Sequence, residues 1–92
     1  MPTVNGTVSA TGGVSAYWLF TYNGSGHVVD LSNKQAILAT GSYELFWTFR
    51  GQANAKITVT VAADAKVVFG PYDDNIPPGS TQGHGETTIN IP

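Results

Sequence analysis

Apolar and polar residues alternate with a period of two along most of the chain. The alternation is clearest over residues 42–50, where Tyr43, Leu45 and Trp47 fall on one side. The β-branched run at 56–62 shows the same pattern. Successive side chains of a β-strand point to opposite faces, so this period is typical of strands with one buried face. The chain is therefore predicted to be built of strands.

Turn-forming residues divide this pattern into seven or eight strands, and no helix is predicted. The predicted strands cover residues 3–10, 14–22, 27–31, 35–39, 42–50, 56–62, 65–69 and 86–92. Asn-Gly-Ser-Gly at 23–26 is a strong hairpin signal, because Asn and Gly tolerate the positive φ of tight turns. Three clusters of Gly and Pro over residues 70–85 predict a long loop before the terminal strand at 86–92.

Composition agrees with a single antiparallel β-sandwich domain over residues 1–92. The chain has 92 residues, the size of one domain, with 11% charged residues and 11 glycines. A helical bundle would be richer in Ala, Glu, Lys and Leu. The predicted fold class is therefore an all-β sandwich, either immunoglobulin-like or jelly-roll-like.

The charge pattern argues against binding to nucleic acid or to a membrane surface. The net charge is −2, and the four basic residues are scattered singly at Lys34, Arg50, Lys56 and Lys66. Nucleic-acid binding normally uses a basic cluster that displaces counterions, and helices on a membrane surface need a similar basic face. Neither partner is expected.

Cysteine usage and targeting signals leave the compartment undefined. The sequence has no cysteine, so disulfides and thiolate zinc sites are excluded. No signal peptide and no apolar run of about 20 residues is recognisable. A cytoplasmic location and export by a non-classical route are both compatible with the sequence.

Residues 38–45 read Leu-Ala-Thr-Gly-Ser-Tyr-Glu-Leu. This segment resembles the tyrosine corner that leads into a late strand of immunoglobulin-like sandwiches. The resemblance covers a small part of the chain and lacks the cysteine of antibody domains. It implies a sandwich, and a hydrogen-bonding role for the hydroxyl of Tyr43.

The sequence lacks the residue groupings that catalysis usually requires, so a non-enzymatic protein without a cofactor is predicted. The two histidines, His27 and His84, accompany no Gly-x-Ser-x-Gly motif, and no phosphate-binding glycine loop is present. Asp73, Asp74 and Asn75 offer oxygen ligands for calcium, but their spacing differs from that of an EF-hand loop. Whether a metal binds is left open.

Two strands carry apolar residues on both faces. In strand 14–22 the face of Trp18 is assigned to the core, which places Tyr17 and Leu19 outside, and Phe46 lies off the core face of the clearest strand. A sandwich buries one face of each sheet, so Tyr17, Leu19 and Phe46 would form an exposed patch that needs a partner. Because both faces of strand 14–22 are apolar, the reverse assignment is also open.

Three occupants fit such a patch, namely a second copy of the chain, the loop 70–85, or a ligand. The leading hypothesis is an assembly module that forms homo-oligomers through the patch or through its terminal strand. The alternative is a lectin-like carbohydrate-binding module, with or without calcium. Its ligand contacts would be Tyr72, Asp73, Asp74 and Asn75, because sugars stack on aromatic rings and hydrogen-bond to acids and amides.

Overall fold

The structure, a computed structural model, describes residues 1–23 and 27–92. These residues form eight β-strands and no helix, which confirms the all-β class. The strands are β1 (Thr3–Thr11), β2 (Val14–Tyr22), β3 (Val28–Asp30), β4 (Gln35–Ile37), β5 (Gly41–Gly51), β6 (Lys56–Ala63), β7 (Lys66–Asn75) and β8 (Gln82–Ile91). Of the predicted hairpin turn, residues 24–26 lie outside the described residues. In the described part of the chain, no helix has the length and apolar character needed to cross a membrane.

The strands form two antiparallel sheets of four strands each, an arrangement compatible with a β-sandwich. The first sheet has the strand order β4-β1-β6-β7, and the second sheet has the order β3-β2-β5-β8. Each sheet ends in a three-residue strand at one edge and a ten-residue strand at the other. The long edge strands β7 and β8 contact each other across one open side of the sandwich.

Alternate residues of the long strands fill the core between the sheets. Tyr43, Leu45, Trp47 and Phe49 of β5 are buried, so the core face predicted for this strand is confirmed. The first sheet supplies a facing layer of buried β-branched residues, which includes Val4, Val8, Ile57, Val59 and Val61. Each fully buried Val or Leu side chain contributes roughly 1.5–3 kcal/mol relative to an exposed one, and this layer holds the sheets together.

The segment 70–85 differs from the predicted long loop. β7 continues to Asn75 and β8 begins at Gln82, so the connection is limited to residues 76–81. This connection is anchored by Ile76, which is fully buried and whose N–H donates to the carbonyl of Ala55 at 2.9 Å. Pro71 is tolerated in β7 because an edge strand leaves some of its N–H groups without a ladder partner.

The glycines of β8 are required by the aromatic residues that face them. Gly83 pairs with Phe49 and Gly85 with Trp47 in the β5–β8 register. A Cβ at Gly83 would lie 2.6 Å from Cζ of Phe49, and one at Gly85 would collide with the indole of Trp47. The Gly-His-Gly sequence is therefore part of a strand that can carry no side chain at these two inward positions.

Tyr43 makes the hydrogen bond that the tyrosine-corner resemblance implies. Its hydroxyl donates to the carbonyl of Ala39 at 2.8 Å, while its ring is buried near the start of β5. The bond ties the entry into β5 to the chain that leaves β4. A buried phenol normally needs such a partner, since an unsatisfied hydroxyl costs about 1–3 kcal/mol.

Candidate functional site

The inward and outward faces of β2 are the reverse of those assigned first from the sequence. Leu19 is fully buried, and Tyr17 is half-buried against the core while its hydroxyl accepts a hydrogen bond from Nδ2 of Asn33 at 2.7 Å. Trp18 is 39% exposed. The patch predicted from Tyr17, Leu19 and Phe46 therefore does not exist as a unit, and Phe46 alone of the three lies on the outer face.

Strand pairing brings Phe46 together with the outward residues of β2. Phe20 and Phe46 are direct cross-strand partners, and their ring centroids are 5.3 Å apart. Tyr22 meets Phe46 edge-on at 5.6 Å, and Trp18 follows on the same side of β2. We call these four side chains the aromatic face: Trp18, Phe20, Tyr22 and Phe46. It occupies the solvent side of the second sheet.

Polar side chains border the aromatic face on the β8 side. Glu86 is the cross-strand partner of Phe46, and His84 is the partner of Thr48. A hollow of about 370 Å³ lies at this border and is lined in part by Tyr22, Phe46 and His84. Neither the His84 imidazole nor the Glu86 carboxylate hydrogen-bonds to another described residue, so both remain available to a partner.

Cover of the apolar patch by residues 70–85, one of the three alternatives considered from the sequence, does not form. These residues make the ends of β7 and β8 and the short connection between them, so they do not fold back over the second sheet. Within the described residues the aromatic face is partly open to solvent, since Trp18 is exposed and Phe20, Tyr22 and Phe46 are half-buried.

Comparison with family models, curated protein sequences and solved structures found no match.

A second group of aromatic residues lies at the open side between β7 and β8. Phe69 and Tyr72 of β7 pack against the indole of Trp47, with ring centroids 5.6 and 5.5 Å away. The indole N–H of Trp47 donates to Oδ2 of Asp74 at 2.9 Å. These side chains line a cavity of about 250 Å³, which we call the side groove. Its walls are Trp47, Phe69, Tyr72, Asp74 and the β8 segment 84–87.

The predicted ligand contacts at 72–75 divide between the two sides of β7. Tyr72 and Asp74 line the side groove. Asp73 lies on the opposite side, where Oδ1 accepts from the Thr58 hydroxyl at 2.7 Å and Oδ2 lies 3.9 Å from Nζ of Lys56. Asn75 is exposed and lines a neighbouring polar hollow of about 260 Å³.

This division bears on calcium binding. Consecutive residues of a strand point to opposite faces, so Asp73 and Asp74 direct their carboxylates away from one another. Among the described residues, no three His, Asp or Glu side chains are grouped so that they could hold a metal ion. The geometry therefore gives no support to a metal at this acidic segment.

Sequence reasoning missed most of the residues that line these two regions. Trp18, Phe20 and Tyr22 had been assigned to the core, and Phe69 and Trp47 were not connected with Tyr72. No local sequence pattern decides this assignment; it follows from the cross-strand pairing of β2 with β5, because pairing Phe20 with Phe46 puts both on the face opposite Leu45 and Trp47.

Proposed function

We propose that this protein is a non-enzymatic interaction module that self-associates through the aromatic face. The observation that supports this most directly is the cluster of four rings on the solvent side of a sheet whose other side is already packed. Contiguous exposed apolar surface of this kind usually marks an interaction site. Aromatic residues are also enriched at the centres of protein interfaces, where a few of them supply most of the binding energy.

The dimensions of the second sheet suit a symmetric dimer. Four strands about 4.8 Å apart, each rising about 3.3 Å per residue, give a face of roughly 600 Å². A stable interface buries about 800 Å² of accessible surface per partner, so a face-to-face contact is of the right order. Docking the aromatic face on its own copy would place Glu86, His84 and Thr48 at a polar rim.

The terminal strand offers a second route to the same assembly. Within the described residues, β8 pairs only with β5, and its other edge is unpaired over ten residues. An unpaired edge presents N–H and C=O groups that can extend a sheet into a neighbouring molecule. In this route, two copies would join their second sheets edge to edge.

We also propose that the sandwich is immunoglobulin-like rather than jelly-roll-like. The order β3-β2-β5-β8 matches the C′-C-F-G sheet of variable-type domains, and the pairing of β1 with β4 matches strands B and E. The Tyr43 hydrogen bond lies between the E-like and F-like strands, where a tyrosine corner is expected. The hairpin β6–β7 would then be an insertion between the F-like and G-like strands.

Light scattering over a range of protein concentrations tests the proposed assembly. We expect a mass above the 9.7 kDa of one chain. Phe46→Glu should restore the monomer mass, because it places a charge at the centre of the aromatic face. Thr60→Glu, on the outer side of the first sheet, is the matched control and should leave assembly unchanged.

Light scattering combined with hydrogen exchange distinguishes the two contact routes. If Phe46→Glu remains assembled and the β8 amides gain hydrogen-exchange protection as concentration rises, the terminal strand is the contact and the aromatic face is not. A wild-type protein that stays monomeric at high concentration would contradict both routes.

A further inference from the structure

We propose that the side groove binds a neutral sugar ring of an oligosaccharide. This site is distinct from the aromatic face, because it lies at the open side of the sandwich and its rings come from β5 and β7, although His84 and Glu86 of β8 border both regions. Trp47, Phe69, Tyr72 and Asp74 converge there on one cavity. The groups that line it match the two needs of a pyranose, an aromatic surface and well-oriented hydrogen-bonding groups.

Tyr72 provides the aromatic surface. It is 46% exposed, whereas the Trp47 side chain behind it is almost fully buried. The Tyr72 ring is supported by Trp47 at 5.5 Å and by Phe69 at 5.8 Å, so it is backed on the protein side by two other rings. A ring held in this way loses little conformational freedom when the apolar face of a sugar stacks on it.

Asp74 provides an oriented acceptor. Its Oδ2 accepts from the Trp47 indole and its Oδ1 accepts from the backbone N–H of Asn75, each at 2.9 Å. These two donors fix the carboxylate in the groove. Since a carboxylate has about four acceptor positions, each oxygen retains capacity for a sugar hydroxyl.

The opposite wall is the backbone of β8. As an edge strand, β8 leaves main-chain N–H and C=O groups free on the side away from β5. Gly85 lines this part of the groove, and the space on its inner side is filled by the Trp47 indole. Main-chain groups can donate to and accept from hydroxyls, so both hydrogen-bonding needs of a sugar are met.

Charge and size define the ligand further. Asp74 and Glu86 line the groove and its walls contain no Lys or Arg among the described residues, so neutral sugars are favoured over sugar acids. The cavity of about 250 Å³ adjoins the polar hollow of about 260 Å³, and both are lined by Asp74 and His84. Their combined volume lies within the usual range for ligand sites, which favours an oligosaccharide over one ring.

The two tryptophans make the proposal testable on the intact chain. Trp47 lies in the side groove and Trp18 on the aromatic face, so their indole N–H signals in a nitrogen-15 NMR spectrum report on separate sites. The probes are neutral gluco-, galacto-, manno- and xylo-oligosaccharides, added to millimolar concentration. We expect at least one probe to shift the Trp47 indole and the amides of 84–87 while the Trp18 indole stays in place.

Variants of the ring and the carboxylate complete the test. Tyr72→Ala should weaken binding at least about tenfold, which corresponds to 1.4 kcal/mol. Tyr72→Phe should retain binding because the ring is kept, and Tyr22→Ala, which removes a tyrosine from the other site, should bind normally. If Tyr72→Ala does not fold, Asp74→Asn takes its place in the test and should weaken sugar binding. This variant should still fold, because an amide oxygen can accept the hydrogen bond from the Trp47 indole.

Three results would overturn the proposal. They are a panel that leaves the Trp47 indole unmoved, a sugar that shifts Trp18 instead, and a Tyr72→Ala variant that folds and binds normally. If an extended peptide shifts the β8 amides and no sugar does, the groove serves strand addition instead. A negative result leaves self-association untouched, because that proposal is read from molecular mass, whereas sugar binding is read from the Trp47 indole signal.

Discussion

The outer faces of the two sheets differ in the side chains that their central strands present. On the first sheet these are Thr7, Ser9, Thr58 and Thr60. On the second sheet they include the four rings of the aromatic face, beside polar residues such as Glu44 and Thr48. Both sheets cover the same core, and threonine is already a good strand former. The first sheet thus shows that a polar outer face suffices for this fold, which supports the proposal that the aromatic face binds a partner.

The largest expected effect tests the direction of β2, on which this comparison depends. Leu19→Ala should lower the free energy of unfolding by about 2–5 kcal/mol, because it leaves a cavity between the sheets. Trp18→Thr, which copies the outer face of the first sheet, should cost about 1 kcal/mol or less. Urea unfolding measures both. If the two variants lost similar amounts of unfolding free energy, the assignment of Leu19 to the core and of Trp18 to the outer face would be wrong.

Most of the strands were predictable from sequence, whereas the face of β2 that is buried was not. A period of two and Gly-rich turns locate most strands from local information, although β7 and β8 both extend into the segment predicted as a loop. In β2, however, both sets of alternate residues are apolar, and only the pairing of Leu19 with Trp47 and of Phe20 with Phe46 decides which set is buried. That pairing joins residues far apart in the chain, so no local pattern contains it.

The side groove was only partly predictable for a related reason. Tyr72 and Asp74 stood out as an aromatic and an acid in a Gly- and Pro-rich segment. The Gly and Pro residues of this segment are typical of a loop. Gly83 and Gly85 are nevertheless part of a strand, where the rings of Phe49 and Trp47 leave no room for a side chain. The partnership of Tyr72 with Trp47 depends on the packing of one sheet on the other, which sequence does not specify.

A smaller effect is expected at the inner face of β8, which completes the second sheet. Gly83→Ala should destabilise the protein by about 1–3 kcal/mol, because the new methyl group would press on the buried ring of Phe49. His84→Ala is the control on the outer face of the same strand and should change stability by less than about 0.5 kcal/mol. Thermal unfolding compares them, and equal stability of the two variants would argue against the inward placement of Gly83.

The smallest effect concerns one ion pair on each sheet. The backbone N–H of Ser32 donates to Asp30, and with Lys34 at 3.1 Å it holds the pKa of this carboxyl below its usual value of 3.8. Asp30 is therefore stabilising when ionised, and its contribution is lost as pH falls through the lowered pKa. Asp30→Asn should cost about 0.5–1 kcal/mol near neutral pH.

The pH dependence checks this assignment. The gap in stability between wild type and Asp30→Asn should be constant near neutral pH and close below about pH 4. Asp73→Asn, which removes the longer ion pair with Lys56 on the first sheet, serves as the comparison. A gap that persists undiminished in acid would show that the charge of Asp30 is not what stabilises β3.

The strand order also governs how quickly the protein forms the surfaces that we propose for binding. Val4 pairs with Ala63 and Gly41 pairs with Ile91, so both sheets join residues from distant parts of the chain. Closing these long loops costs conformational entropy before the contacts between the paired strands become stabilising. Such topologies fold in about milliseconds to seconds, well after a hairpin such as β6–β7 can form. The aromatic face draws on β2 and β5, so it is assembled with the non-local pairings and is absent from earlier, locally ordered states.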